Sequence, residues 1–182
     1  MTKPRISYVP LEKMDADMRK EMERCQREGT PRPESSAVRA HVPAAFWFFA
    51  NSWRDLFRNG VLDHAIKELC RLYVSRSVQC EYCGNQRSVK ATTSGALIED
   101  HVMDLLNFEQ SKQYNERQKA ALAYAEAIAW HLNPDDGFWE RMHRHSRSRH
   151  QGIVPALCVA FRHLRILRQS ALGEGGGERR PD

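Results

Sequence analysis

Apolar residues recur every three or four positions along most of the chain, and nowhere is there the strict alternation of a half-buried strand. Residues 10–28 are rich in good helix formers and close at Gly29. The following "TPRPESSA" reads as a linker from its prolines and serines. In 42–60, Phe46, Phe49, Trp53, Leu56 and Phe57 fall at helical spacing as an aromatic core stripe, with Gly60 as the stop. Residues 62–78 put Leu62, Ile66, Leu69, Leu72 and Tyr73 on one face. Further helices are predicted over 80–92, over "LIEDHVMDLLN", and over "QYNERQKAALAYAEAIAWHLN" with Asn115 as its N-cap. The pattern ends with "PDDGFWERMHRH" and 151–171, where Pro155 sits in the first turn or kinks the helix. The expected fold is all-α, one helical domain of about six to eight helices over 1–172, with 173–182 a disordered tail by composition.

Charge changes this picture little. The chain of 182 residues carries a net charge of +5, and its one dense basic run is 141–150, "RMHRHSRSRH". A solvated loop explains that run more simply than a nucleic-acid contact does. No apolar run approaches the length of a membrane span, and no secretory h-region is visible. The five cysteines are odd in number and irregularly spaced, unlike a secreted disulfide framework. A cytoplasmic protein is expected, without nucleic-acid or membrane partners.

In a reducing compartment a close cysteine pair points to catalysis or metal binding. Cys80 and Cys83, in "QCEYCGNQR", are three apart, which on a helix brings both sulfurs to one face. The preceding apolar helix ends near Val78, so the pair falls at a helix start, where unpaired N–H groups and the dipole favour a thiolate. A reactive thiol beside a resolving thiol is what a two-cysteine peroxidase or disulfide reductase requires. Two rival readings stand beside it. One is half of a zinc site, although a second CxxC is missing and the ligand-rich cluster His143, His145 and His150 is sixty residues away. The other is a pair of inert buried thiols, a description that suits the isolated Cys25, Cys70 and Cys158 better.

The segment "KELCRLYVSRSVQCEYCGNQRS" resembles the carboxymuconolactone decarboxylase-like family, specifically its alkylhydroperoxidase D branch. "HVP" before an aromatic helix, "LFRNGVLDHAIKEL" and "ERQKAALAYAEAI" extend the likeness in the same order over most of the chain. The resemblance implies an all-α homo-oligomer, a trimer or hexamer, that reduces small hydroperoxides with no bound cofactor. It implies re-reduction by a dithiol such as dihydrolipoamide, through a lipoyl-type partner. It also implies that Cys83 attacks the peroxide, that Cys80 resolves, and that Glu68 belongs to a proton relay. Where the family's motif has a relay histidine, this chain has Arg87.

Arginine cannot accept a proton near neutral pH. Arg87 is therefore expected to favour the Cys83 thiolate by charge, held by an ion pair with Glu68, or else to form a merely structural pair with it. If a proton must be moved, His41 and Tyr82 are the first candidates, with His64 and His101 behind them. Two other functional classes stay open: a carboxymuconolactone decarboxylase-like lyase acting on a small lactone acid, and a non-enzymatic, redox-responsive oligomeric protein.

Overall fold

The computed structural model describes residues 5–60 and 62–145. All regular structure among them is helical. The predicted helix over 151–171, the tail, Cys158 and His150 lie outside the described residues.

Helix α1 (Ala16–Glu28) begins where the Asp15 carboxylate accepts from Met18 N–H, and stops at Gly29, which takes the left-handed conformation at φ 71°. The stretch predicted as a linker holds a helix, α2 (Pro33–Arg39). Pro33 occupies its first position, where a missing N–H costs nothing and the fixed φ is already helical, so the proline that suggested a break is a helix start. Pro43 opens α3 (Pro43–Ser52) in the same way, and the chain then widens into π-helical turns over Trp53–Arg58.

The aromatic stripe of this region is only partly core. Phe46 and Phe57 are buried, but Phe49 and Trp53 are only half-buried and Leu56 is 39% exposed. Met14, Met18 and Met22 pack with Ala37, Ala40, Phe46 and Ala50 as a separate N-terminal layer.

Helix α4 (His64–Ser77) is the axis of the molecule. Asp63 caps it by accepting from the Ala65 and Ile66 N–H groups, and eleven consecutive residues, Ala65 to Ser75, are buried. Its main partner is α8 (Glu116–Trp130), which Asn115 and Gln118 cap reciprocally. Ala120, Ala121 and Ala125 are fully buried on α8, and Cys70 Sγ donates to the Ala121 carbonyl at 3.4 Å. Small side chains let the two helices come this close. Around them Leu69, Leu72, Tyr73, Leu97, Val102, Leu105, Phe108 and Met142 complete the larger core. Cys25 and Cys70 are fully buried, and burial pushes both thiols up, Cys25 to about 11. Both behave as the inert core cysteines their isolated positions predicted.

Between α4 and α8 the chain makes three short helices: α5 (Glu81–Gly84), α6 (Val89–Thr93) and α7 (Glu99–Met103). The single helix predicted over 80–92 is therefore broken. Ser88 breaks it, its hydroxyl accepting from Ala91 N–H to cap α6. The last described helix is α9 (Asp136–His145), which contains the start of the basic run and packs on α8.

Gly29 fastens the N-terminal layer to this central segment. A Cβ there would lie 2.3 Å from the Arg87 carbonyl oxygen, on a backbone already at positive φ. Gly29→Ala is expected to cost at least about 1–2 kcal/mol from the backbone alone, and more from the clash. Urea denaturation monitored by circular dichroism measures this as a lower midpoint at unchanged slope.

Candidate active site

Helix α4 ends because Gln79 adopts a left-handed conformation at φ 53°. The reversal lets Cys80 N–H bond back to the Ser75 carbonyl at 2.8 Å and sets Cys80 at the N-cap of α5. Cys83 lies in the first turn, and its N–H donates to Cys80 Sγ at 3.4 Å. Both thiols are free and half-buried, on one turn of helix as their spacing predicted.

Arg71 builds the floor beneath them. Its guanidinium donates to the Cys83 carbonyl at 2.7 Å and to the Gln86 carbonyl at 2.9 Å. The same group pairs with Glu68, Nη2 to Oε2 at 2.9 Å and Nε to Oε1 at 3.3 Å. Glu68 is fully buried and Arg71 nearly so. The Glu68–Arg87 pair expected from the sequence is thus absent: Glu68 has Arg71 as its partner, one turn along its own helix. Spacing alone allowed this, because "ELCR" places the two side chains at i and i+3. Arg71 is the functional residue that sequence reasoning missed.

Arg87 is committed elsewhere. Its Nε and Nη2 bind the Glu99 carboxylate at 2.8 and 3.1 Å, and its Nη1 donates to the Gly84 and Gln86 carbonyls. It ties the end of α5 to α7. The cations that act on the Cys83 thiol are Arg71 and Arg39. Arg39 stacks over the Phe49 ring at 3.7 Å and donates to the Ser35 carbonyl at 2.6 Å. Arg24, Arg58, Arg71, Arg87 and Arg141 each face a carboxylate, whereas Arg39 faces none among the described residues.

These cations do not win. Burial, and then the Cys80 sulfur, push the Cys83 thiol up to about 12. The expectation of a resting thiolate is overturned, for two physical reasons. The α5 helix has four residues and therefore little dipole to offer. Half-burial beside a second polarizable sulfur penalises the anion more than two guanidinium groups favour it.

The remaining candidates divide. The Tyr82 hydroxyl donates to the Glu34 carboxylate at 3.4 Å, with Arg32 over its ring at 5.7 Å. Burial, with the Glu34 charge, pushes that phenol up to about 12, so Tyr82 keeps its proton and can only donate. Gln86, buried behind it, accepts from Arg32 N–H and donates to the Tyr82 carbonyl, fixing α2 against the thiol turn. His41 is exposed and its Nε2 bonds to the Ser7 carbonyl at 2.7 Å, with no hydrogen bond to the thiol segment among the described residues. His101 stacks on Tyr114 and accepts from Ile98 N–H.

His64 is closer to the machinery. It begins α4, one turn before Glu68, whose charge acts on it, and its Nε2 bonds Ser88 Oγ at 2.7 Å. Burial lowers its pKa, so the ring is neutral at pH 7. Among the described residues no three His, Cys, Asp or Glu side chains gather as a metal-ligand set. No described helix is long and apolar enough to cross a membrane.

Comparison with known proteins places the fold. No family model matches the sequence, and no curated protein matches it. Among solved structures the chain is similar to a cysteine-to-alanine variant of the debrominase Bmp8 in complex with 2,3,4-tribromopyrrole. The TM-score is 0.70 at 15% identity, covering 92% of this chain and 90% of that one. The two share an all-helical fold.

Two outcomes are expected. Glu68→Gln leaves the Arg71 charge buried without a counter-ion, a loss of about 3–5 kcal/mol, and Glu68→Gln/Arg71→Met recovers much of it. Urea denaturation of the two variants decides this. In thiolate absorbance titrations near 240 nm, Arg39→Gln raises the Cys83 pKa further while Arg87→Ala leaves it in place. The reverse order would restore Arg87 as the activating cation.

Proposed function

We propose that this chain is a dithiol reductase of the alkylhydroperoxidase D branch of the carboxymuconolactone decarboxylase-like family, with a hydroperoxide as its electron acceptor. The observation that carries the reading is the thiol turn itself. Two free sulfurs sit on one helical turn, joined by the Cys83 N–H to Cys80 Sγ contact, half-open to solvent, over a buried Arg71–Glu68 floor.

In the reductive half, Cys83 attacks the distal peroxide oxygen. The O–O bond breaks, the alcohol leaves with a proton, and Cys83 becomes a sulfenic acid. Cys80 then displaces hydroxide from that sulfur, giving a disulfide and water. A dithiol reductant, of the dihydrolipoamide type, returns two electrons and two protons. Glu68 and Arg71 are positioning residues here: they hold the Cys83 and Gln86 carbonyls and so the shape of the turn. Arg39, half-buried and without a carboxylate, stabilises negative charge as it develops on Cys83. Like its family relatives, the protein is proposed to work as a homo-oligomer.

A second acceptor is favoured by two observations together. The fold is shared with a debrominase, and Cys83 rests as a thiol. A thiol that burial keeps protonated is a slow start for an unselective peroxide scavenger. A bound aryl bromide offers a soft electrophile instead. Cys83 takes the bromine from carbon, the carbon takes a proton, and Cys80 displaces bromide. Two thiols and one carbon–bromine bond become a disulfide, a carbon–hydrogen bond, bromide and a proton.

One single-turnover experiment separates the readings. The reduced protein is mixed with one equivalent of cumene hydroperoxide or of tribromophenol, and thiols, alcohol and bromide are counted. Loss of two thiols with one cumyl alcohol supports the peroxidase; loss of two thiols with one bromide supports the dehalogenase. Thiols that stay reduced with both would overturn the dithiol reading. With the active acceptor, the rate is expected to rise about tenfold per pH unit through neutrality and to level off only on the alkaline side. A plateau already at pH 6–7 would contradict a protonated resting Cys83.

A further inference from the structure

Arg24, Arg54, Arg71 and Arg87 each hold a carboxylate in the same way. The Nε and Nη2 edge of the guanidinium donates to both oxygens of one acid: Glu21, Asp55, Glu68 and Glu99 respectively. Two parallel N–H groups match the two oxygens of a carboxylate, which makes this edge a strong anion binder. In Arg39 the same edge has no acceptor among the described residues. Its Nη1 donates to the Ser35 carbonyl at 2.6 Å, and the guanidinium stacks over the Phe49 ring at 3.7 Å. The bond and the stack fix the group, so the Nε/Nη2 edge is oriented in advance.

Helix α2 carries that edge to the thiol turn. Arg32, Ser35 and Arg39 stand at i, i+3 and i+7, along one face of the helix. The face is docked on the turn: Arg32 N–H donates to the Gln86 side-chain oxygen at 3.2 Å, and the Arg32 guanidinium lies over the Tyr82 ring. Ser35, which Arg39 grips, is within reach of the Tyr82 hydroxyl. The acidic groups whose charge acts on Arg39 are Tyr82 and Cys83, and no carboxylate is among them. Glu34, the acid nearest in sequence, accepts from the Tyr82 hydroxyl instead. Arg71, the other cation acting on Cys83, is already paired with Glu68.

Arg39 is thus a half-buried cation beside the reactive sulfur, with its carboxylate-binding edge turned to no acid of its own. Guanidinium groups stay charged at neutral pH, and a charge partly withdrawn from water attracts a counter-ion more strongly than an exposed one does.

We infer that the acceptor reduced at Cys83 carries an anionic group, a carboxylate or a phenolate, held by the Nε/Nη2 edge of Arg39. The inference rests on the dithiol reading above and names the substrate class of that site. A halogenated phenolate and a hydroperoxy acid both bring this chemistry. The exposed Tyr82 ring, beside the sulfur, gives the organic body an apolar surface to lie on. This role differs from favouring the Cys83 thiolate. A more stable thiolate serves every acceptor alike, whereas recognition selects the anionic ones.

The test compares two alkylating agents of one shape, iodoacetate and iodoacetamide, on the full chain carrying Cys80→Ser. Modified Cys83 is counted by peptide mass spectrometry. The ratio of the two rates is divided by the same ratio for glutathione. A change in the Cys83 pKa alters both rates alike and cancels, so the quotient reads recognition of the carboxylate. It is expected to favour iodoacetate by about tenfold or more. Arg39→Gln in that background is expected to bring it to about one, and Arg39→Lys, which keeps the charge, to preserve part of the preference. No preference with Arg39 present, or a preference that survives Arg39→Gln, overturns the assignment. On the natural chain, two pairs tell the sources apart: tribromophenol against its methyl ether, and linoleic acid hydroperoxide against its methyl ester. In the pair that oxidises the thiols, the anionic member is expected to reach half-maximal rate at about a tenfold lower concentration. A neutral member that performs equally well also overturns the assignment. Thiols that stay reduced with all four sink the dithiol reading instead, and the alkylation ratio still decides the anion site.

Discussion

Everything near the thiols rests on one buried ion pair. Arg71 satisfies a carboxylate and two backbone carbonyls at once, from a helix with eleven consecutive buried residues. A charge pair in such a place gains little net stability, because desolvation offsets most of the attraction. What it supplies is geometry. The Cys83 and Gln86 carbonyls belong to a segment with only four residues of regular helix, and short helices do not hold themselves. Anchored to α4, the turn inherits the rigidity of the core. Replacing the pair by apolar side chains would spare the desolvation and lose the anchor.

The electrostatics around Cys83 follow from the same burial. A group shielded from water resists becoming charged, and here the shielding outweighs two nearby guanidinium groups. The reactive sulfur is therefore stored as a thiol. Arg71, although paired with Glu68, favours the anion more than Arg39 does, and Arg39 has no carboxylate partner among the described residues.

Much of this was legible in the sequence, and the reason differs from element to element. The periodicity of 62–78 led to α4, which buries a broad face, whereas 113–133 was legible as α8 from its alanines and the Asn115 cap. The sulfur pair was legible because i, i+3 spacing survives even when a helix shrinks to one turn. Glu68 was singled out through the resemblance, as part of a proton relay held to Arg87, and that partner was misjudged. Charge complementarity names no partner on its own, and Arg71, nearer along the helix, took the carboxylate that Arg87 was expected to hold. Pro33 and Ser88 misled in opposite directions: a residue that begins a helix reads, in isolation, like one that ends it. Arg39 could not have been found, because its approach to Cys83 is created by the docking of α2, which no local pattern reports.

Gly29 and the Arg87 carbonyl touch with no room for even a methyl group between them. The thiol turn and the first long helix are thus in gear. Residues 84–87 cannot drift toward Gly29 without moving the C-terminal turn of α1. Met18 and Met22 of α1 pack in the N-terminal layer, and their unbranched side chains can adapt to such a shift.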